Sequence, residues 1–232
     1  MTSSTWHALG NTYVVVELTD HRLDEAEASV LAQGTDGVLE ILGRTEISVE
    51  IAIWNPDGSR AELSGNGTRI AAAWLAEQTG AAEVAVEVGG RVVRTRMGAS
   101  GDIEQDLGEV VVGAAETIDG ITFVPVSVGN PHAVVAGDPA QIGILGPLLE
   151  THERFPERTN VQVARIDGPG EVTARVWERG VGETHSSGTS AVAVAAATHG
   201  GGQIVVHFPG GDLRVRLDAG RATLYGTAER VA

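Results

Sequence analysis

The chain has 232 residues, which is enough to bury one large hydrophobic core or two smaller ones. Its apolar fraction of 42% and charged fraction of 20% are ordinary for a globular protein and exclude a disordered chain. The formal net charge of −15 argues against nucleic acid as a partner, since binding to phosphates depends on Lys and Arg. The absence of cysteine excludes disulfides, thiolate metal sites and a cysteine nucleophile.

No segment is typical of secretion or of membrane insertion. Residues 1–12 lack the basic and apolar regions of a signal peptide, and the Ala/Val run over residues 191–197 is far too short to span a bilayer. We therefore predict a cytoplasmic protein without a membrane partner. The histidines show no ligand spacing such as HExxH, so no metal is predicted.

The first half of the chain predicts strands with two helices. The predicted strands cover residues 12–18, 38–42, 47–53, 82–88 and 91–97, the last two forming a hairpin. One helix is predicted over residues 23–32, and a second begins after Asn66 and ends at Gly80, a natural C-cap. The acidic, glycine-rich residues 98–108 predict a linker or a long exposed loop.

Strands also dominate the second half. They are predicted over residues 109–112, 121–128, 160–166, 171–178, 203–208, 213–217 and 222–230. An interrupted helix is predicted over residues 138–152, and a small-residue helix follows Gly188. Each half therefore has one strongly apolar helix, which predicts an α+β fold with a central helix wrapped by mostly antiparallel sheet in each half.

Two features recur at similar positions in the halves, which indicates a duplicated unit rather than chance similarity. Trp54 precedes Ser64 by ten positions, and Trp177 precedes Ser187 by the same ten. A Gly-Asn pair precedes a strand at residues 10–11 and again at residues 129–130.

The duplication predicts two pseudo-symmetric domains. The first covers residues 1–112, to which a C-terminal strand at about residues 227–232 returns, and the second covers residues 113–226. We expect the active-site cleft between the two domains, because domain interfaces often hold small-molecule sites.

Both serines lie at the start of a helix, where backbone N–H groups without helical partners favour an anion. Two such helix ends would hold one carboxylate, and the hydroxyls of Ser64 and Ser187 would flank the adjacent carbon. This arrangement suits removal of a proton on one face and delivery on the other, as in a cofactor-independent amino-acid racemase. Alternatively, the two serines are simple N-caps.

The sequence resembles the diaminopimelate epimerase family over nearly its whole length. The matching motifs are HALGNTYVVVE, WNPDGSRAELSGNGTR, SVGNPHAVV, LGPLLETHERFPERTNV, VWERGVGETHSSGTS and HFPGG, in the family's order. The resemblance implies conversion of LL-diaminopimelate to the meso form for lysine and peptidoglycan synthesis. It also implies the absence of a cofactor, a small diamino acid as the ligand, and a homodimer.

The resemblance assigns roles to individual residues. Binding of the distal amino-acid centre is implied for Asn55, Asn130, Asn160 and Arg179, and substrate contact for Asn11. Glu178 matches a residue that binds the reacting amino group and is counted with the catalytic set. The backbone cradle for the reacting carboxylate matches Gly65, Asn66, Gly188 and Thr189. His132, in the GNPH motif, matches a catalytic-site histidine that helps to set the electrostatics of the site. Gly37 stands where some members of the family have a glutamine.

The sequence departs from the family at the two acid–base positions, where the family has thiols and this chain has Ser64 and Ser187. An alcohol is a much weaker acid than a thiol and needs a partner base, for which His185 and His132 are the imidazoles suggested by the sequence. Ser186 and Ser190 also depart from the family's usual residues, which favours natural divergence over deliberate replacement. The alternatives are a catalytically impaired amino-acid-binding homologue, or an isomerase or eliminase with another amino-acid substrate.

Overall fold

A computed structural model describes residues 2–99 and 101–231. The chain divides into two compact units, which we call the N-terminal unit (Met1–Asp106 with Tyr225–Ala232) and the C-terminal unit (Leu107–Leu224). The sequence placed these boundaries after residues 112 and 226.

The N-terminal unit contains two helices and a series of short strands. The strands are β1 (Thr2–Ala8), β2 (Asn11–Glu17), β3 (Gly37–Arg44), β4 (Ser48–Trp54), β5 (Arg60–Ala61), β6 (Glu83–Val88), β7 (Arg91–Met97) and β8 (Ile103–Glu109). The helices are α1 (Glu25–Leu31) and α2 (Gly65–Thr79). The boundary with the next unit falls within β8.

The C-terminal unit repeats this composition. Its strands are β9 (Val111–Val112), β10 (Glu116–Ile118), β11 (Ile121–Ser127), β12 (Pro131–Ala136), β13 (Asn160–Gly168), β14 (Glu171–Glu178), β15 (Gly182–Thr184), β16 (Gly202–Phe208), β17 (Gly211–Asp218) and β18 (Arg221–Gly226). Its helices are α3 (Ile142–Glu150), preceded by a 3-10 turn (Pro139–Gln141), and α4 (Gly188–Thr198). The last strand, β19 (Glu229–Arg230), belongs to the N-terminal unit.

The strand pairing is the same in both units, and this repetition confirms the duplication. In the N-terminal unit β1 pairs antiparallel with β2, β2 pairs parallel with β3, and β3 pairs antiparallel with β4. β4 then pairs parallel with β6, which forms an antiparallel hairpin with β7. The series β11, β12, β13, β14, β16 and β17 shows the same succession of antiparallel and parallel pairs. The predicted α+β fold is therefore correct.

The helix at the centre of each unit is buried because small side chains allow strands to pack closely around it. α2 contacts β1, β2, β4, β6 and β7, and α4 contacts β11, β12, β13, β14, β16 and β17. Every residue of α4 from Gly188 to Ala196 is buried, which agrees with a helix that is apolar on all sides. Among the helices that the structure describes, none is both long and apolar enough to cross a membrane.

A buried carboxylate holds an indole in each unit. Trp54 Nε1 donates to Glu40 Oε2 at 3.0 Å, and Trp177 Nε1 donates to Glu150 Oε2 at 2.7 Å. These bonds satisfy groups whose burial without a partner would be costly. They fix the end of β4 in one unit and of β14 in the other, just before the segments that lead to Ser64 and Ser187.

One prediction about elements was wrong, and one strand was not predicted. The stretch predicted as a linker or exposed loop contains β8, which pairs antiparallel with β7. Its acidic residues, Glu104 and Asp106, alternate with the buried side chains of Ile103, Gln105 and Leu107, so the charges belong to one face of a strand. β1 was not anticipated at all, because its Ser- and Thr-rich sequence lacks a clear apolar alternation.

Candidate active site

Ser64 is the N-cap of α2 and has two side-chain neighbours. Its backbone is extended, with φ −135° and ψ 122°, and its Oγ accepts a hydrogen bond from the Gly67 N–H at 3.0 Å. The Tyr13 hydroxyl lies 3.3 Å from the same Oγ, and either oxygen can donate. Ser64 is half-buried. A serine that caps a helix thus also contacts a phenol from β2.

The first turn of α2 is stabilised by a buried arginine. Arg69 is fully buried and donates to Asn66 Oδ1, to Gln105 Oε1 at 3.1 Å and to the Thr227 carbonyl at 3.4 Å. Burial lowers the pKa of Arg69 to about 9, while the charge of Tyr13 acts to raise it, so the guanidinium is positive at neutral pH. Because this turn has no acidic residue, its N–H groups face only positive or neutral neighbours within the helix.

Asn11 and Asn55, the other predicted contacts of the N-terminal unit, differ in their surroundings. Asn11 is 2% exposed, and its Oδ1 has no hydrogen-bond partner in the described part of the chain, so an acceptor is available for a donor on a ligand. Asn55 is half-buried and donates from Nδ2 to Ser59 Oγ at 2.9 Å. This bond orders the Asn-Pro-Asp-Gly turn.

Ser187 occupies the same position in α4 but with different contacts. Its backbone is also extended, with φ −150° and ψ 128°, and no N–H of the first turn donates to its side chain. The residue is 5% exposed, and Gly188 and Thr189 are buried beside it. His185 is exposed, and among the described residues no hydrogen bond joins its ring to Ser187.

A buried polar network lies next to α4. His132 Nε2 contacts Asn130 Oδ1 at 2.9 Å, and Gln162 Nε2 donates to His132 Nδ1 at 3.0 Å and to Ser190 Oγ at 2.9 Å. Asn130 in turn donates from Nδ2 to Thr189 Oγ1 at 3.4 Å. The network connects the Gly-Asn-Pro-His motif with the first turn of α4.

These contacts define the protonation state of His132. A bond to the oxygen of Asn130 needs a proton on Nε2, and a bond from the amide nitrogen of Gln162 needs an unprotonated Nδ1. Burial, assisted by the charge of Arg179, lowers the pKa of His132 to about 3. The imidazole is neutral with both nitrogens occupied. Direct proton transfer by His132 stays a prediction, and the geometry favours positioning of Asn130.

The end of β14 carries the two charged candidates. Glu178 Oε1 accepts a hydrogen bond from Thr184 Oγ1 at 2.6 Å. The Arg179 N–H donates to Asn160 Oδ1 at 3.0 Å, while Asn160 Nδ2 donates to the Pro131 carbonyl at 2.9 Å. Asn160 therefore ties the start of β13 to the turn that presents Arg179.

The structure groups the predicted residues within each unit. In the C-terminal unit Asn130 is hydrogen-bonded to His132 and to Thr189. Asn160 is hydrogen-bonded to the Arg179 backbone and to the Pro131 carbonyl, and the charge of Arg179 acts on His132. Sequence reasoning assigned no role to several polar residues that hold these groups, namely Tyr13, Arg69, Gln105, Gln162 and Ser190. A polar residue inside an apolar strand, such as Gln162 between Val161 and Val163, was the one available signal.

Each unit thus presents a serine at the start of a helix whose first turn has no acidic residue. Such ends bind carboxylates, and the hydroxyls beside them can exchange protons if a partner group changes their acidity. The neighbouring amides and Arg179 offer donors and acceptors of the kind that a zwitterionic amino acid requires.

Comparison with known proteins identifies the family of the chain. The sequence model of the family described as diaminopimelate epimerase matches residues 4–113 and 124–231. A diaminopimelate epimerase from Bacillus cereus is 34% identical, in an alignment that covers 96% of this chain and 92% of that protein.

Solved structures show the same fold at lower identity. A predicted epimerase from Pseudomonas aeruginosa superposes with a TM-score of 0.77 at 19% identity, covering 99% of this chain and 96% of that one. A hydroxyproline epimerase from Agrobacterium vitis superposes with a TM-score of 0.74 at 15% identity, covering 99% and 89%. The chain is an isomerase that acts on amino acids, and it belongs to the diaminopimelate epimerase family.

Proposed function

We propose that the protein interconverts LL- and meso-diaminopimelate, with Ser64 and Ser187 at the two acid–base positions. The observation that carries the proposal is the repeated serine N-cap at a helix whose first turn has no acidic residue. Family membership supplies the substrate class, a small amino acid.

The reacting carboxylate is assigned to the backbone N–H groups of Gly65, Asn66, Gly188 and Thr189. All four residues are buried, so bonds to an anion there compete little with water. Each helix end contributes about 0.3–2 kcal/mol to binding of a negative charge. Glu178 is assigned to the reacting ammonium group, with its carboxylate oriented by Thr184.

The distal amino-acid centre is assigned to a second group of side chains, Asn11, Asn55, Asn130, Asn160 and Arg179. Arg179 suits the distal carboxylate because its guanidinium can make two parallel bonds to it. The unpaired, buried Oδ1 of Asn11 suits an ammonium donor. Asn160 acts in this scheme mainly by holding the backbone at Arg179.

The serine pair itself favours a second candidate, a protein that binds the amino acid without turnover. Loss of a matched acid–base group costs about 10²–10⁴-fold in rate, and both thiols of the family are absent here. The residues assigned to binding are present in either case, so affinity alone does not separate the two candidates.

The decisive experiment is α-hydrogen exchange. The protein is incubated with LL- or meso-diaminopimelate in deuterated water, and α-deuterium and stereochemistry are followed by NMR and mass spectrometry. The proposal expects deuterium incorporation with inversion, above that of a Ser64→Ala/Ser187→Ala control. Binding without exchange would select the second candidate, and exchange with loss of water or ammonia would select an eliminase.

Family membership also supports a homodimer in the cytoplasm. Light scattering of the purified protein tests the assembly, and fractionation of the source cells tests the location. A mass of 24.0 kDa, that of one chain, would contradict the dimer.

A further inference from the structure

Among the described residues, Tyr13 is the one whose side chain is hydrogen-bonded to the Ser64 hydroxyl. The two oxygens are 3.3 Å apart although the residues are 51 positions apart in sequence. Tyr13 lies in β2, is buried, and pairs in register with Gly37 of β3. The contact therefore results from the tertiary fold and not from local capping.

The helix uses only part of the hydrogen-bonding capacity of Ser64 Oγ. One lone pair accepts the Gly67 N–H at 3.0 Å, which leaves the hydroxyl proton and the other lone pair. Tyr13 can use one of these, and a ligand carbon acid beside the helix end can use the other. The half-buried position of Ser64 leaves its hydroxyl within reach of a ligand.

Arg69 supplies a buried positive charge in the helix that Ser64 caps. Its three hydrogen-bond acceptors are amide or peptide oxygens, and no carboxylate pairs with it among the described residues. The Tyr13 hydroxyl contacts Ser64, the N-cap of α2, and Arg69 belongs to the same helix, so the charge of Tyr13 acts to raise the pKa of Arg69. Negative charge that arrives on the phenol oxygen would therefore be stabilised by a buried cation.

The position of the Tyr13 ring depends on Gly37. A Cβ at residue 37 would lie 2.9 Å from Tyr13 Cε1 and would also collide with the Trp54 carbonyl oxygen. A side chain at residue 37 would displace the ring. The glycine and the tyrosine thus form a matched pair that directs the hydroxyl toward Ser64.

We propose that Tyr13 is the proton partner of Ser64, a positioning residue that lets an alcohol act where the family uses a thiol. The inference rests on the proposed function and deepens it. When Ser64 accepts the α-proton of the substrate, its own hydroxyl proton moves to the phenolate oxygen of Tyr13. In the other direction Ser64 donates its proton to the α-carbanion and receives one from the Tyr13 phenol. Protons balance in both directions, and the negative charge lies on the phenol, a stronger acid than the alcohol.

The test uses a readout that does not depend on turnover. Because the chain has no cysteine, Ser64→Cys introduces a single thiol whose ionisation can be followed by the rate of iodoacetamide alkylation against pH. A hydrogen bond from Tyr13 favours the thiolate, so adding Tyr13→Phe should slow alkylation at pH 7 by about threefold or more. Tyr225→Phe, which removes the hydroxyl of the other tyrosine, serves as the control and should leave the profile unchanged.

Superimposable alkylation profiles with and without Tyr13→Phe would overturn the proposal, and a shifted profile supports it. This result is independent of whether the wild-type chain exchanges α-hydrogen, which decides the proposed function separately. In a wild-type chain that exchanges, Tyr13→Phe should lower the exchange rate about 10²-fold with unchanged affinity for diaminopimelate. It should have no further effect in a Ser64→Ala background, and an equal loss there would also overturn the proposal.

Discussion

Asn130 Oδ1 accepts a hydrogen bond from His132 Nε2 at 2.9 Å, while Gln162 donates to the other ring nitrogen at 3.0 Å. The imidazole is therefore held as one neutral tautomer. Its burial, with the nearby charge of Arg179, lowers the pKa of His132 to about 3. This relationship makes His132 an acid-sensitive point of the fold.

The first prediction concerns stability against pH. Between the ordinary histidine pKa of about 6.5 and a pH of about 3, the unfolded chain binds a proton at His132 that the folded chain does not. The free energy of unfolding should therefore fall as the pH falls through this window, by about 1.4 kcal/mol per pH unit from this residue. Urea denaturation at pH 7, 6 and 5 should show a shallower fall for His132→Gln. The exposed His21→Gln is the control, and equal slopes for His132→Gln and the wild type would contradict the prediction.

The second prediction concerns the acid–base positions. Ser64→Cys/Ser187→Cys should raise α-hydrogen exchange by at least about 10²-fold, because a thiol ionises far more readily than an alcohol. Exchange is measured with both stereoisomers of diaminopimelate in deuterated water. The prediction fails if the variant is folded, binds diaminopimelate and still shows no gain.

The third prediction separates the capping roles of the two serines. Ser64→Ala should lower the free energy of unfolding by about 1 kcal/mol, since Ser64 Oγ accepts the Gly67 N–H. Ser187→Ala should cost clearly less, because no N–H of α4 donates to its side chain. Thermal and urea unfolding of the two variants provide the comparison. Equal losses of unfolding free energy in the two variants would contradict the prediction.

The fourth prediction concerns the glycine beside Tyr13. Gly37→Ala should destabilise the protein by about 2 kcal/mol or more, because the new methyl group would overlap the Trp54 carbonyl and approach Tyr13. Gly43→Ala, in the same strand, is a matched control, since its nearest neighbour is Glu50 Oε2 at 4.0 Å. Denaturant midpoints of the two variants should differ widely, and similar midpoints would be inconsistent with the packing described.

The fifth prediction concerns the buried arginine. Arg69→Ala would leave the acceptors on Asn66, Gln105 and Thr227 without this donor, at a cost of about 1–3 kcal/mol for each buried group left unsatisfied. Arg94→Ala removes the same side chain from an exposed position of β7 and should change stability by less than about 0.5 kcal/mol. Chemical denaturation measures both, and a neutral Arg69→Ala would contradict the assigned role.

Local sequence signals predicted the regular elements well where turn chemistry and capping coincide. The predicted start of α2 after Asn66 was two residues late, whereas its predicted end at Gly80 was correct, and Gly80 has a positive φ of 74°. The same reasoning failed for residues 98–108, because glycine and acidic residues suggested a loop while alternate side chains were buried in a strand. Composition alone does not reveal which face of a strand is covered.

The polar contacts around the two serines were less predictable, since their partners are distant in sequence. Tyr13 approaches Ser64 because α2 packs against β2, and Gln162 approaches His132 because β12 pairs with β13. Recognition of the family located the candidate residues, but it carried no information on how serine would be accommodated. That information lies in side-chain contacts formed by the complete fold.

The return of the chain to the N-terminal unit has a consequence for biosynthesis. β19 pairs with β1, placing Trp6 opposite Arg230, and the Thr227 carbonyl accepts a bond from Arg69, 158 positions earlier. Domains emerging from the ribosome usually fold in order from the N-terminus. Here the unit translated first lacks the strand β19 and one acceptor for a buried cation until residues 227–230 have been synthesised. It should therefore complete its folding after the unit that is translated second.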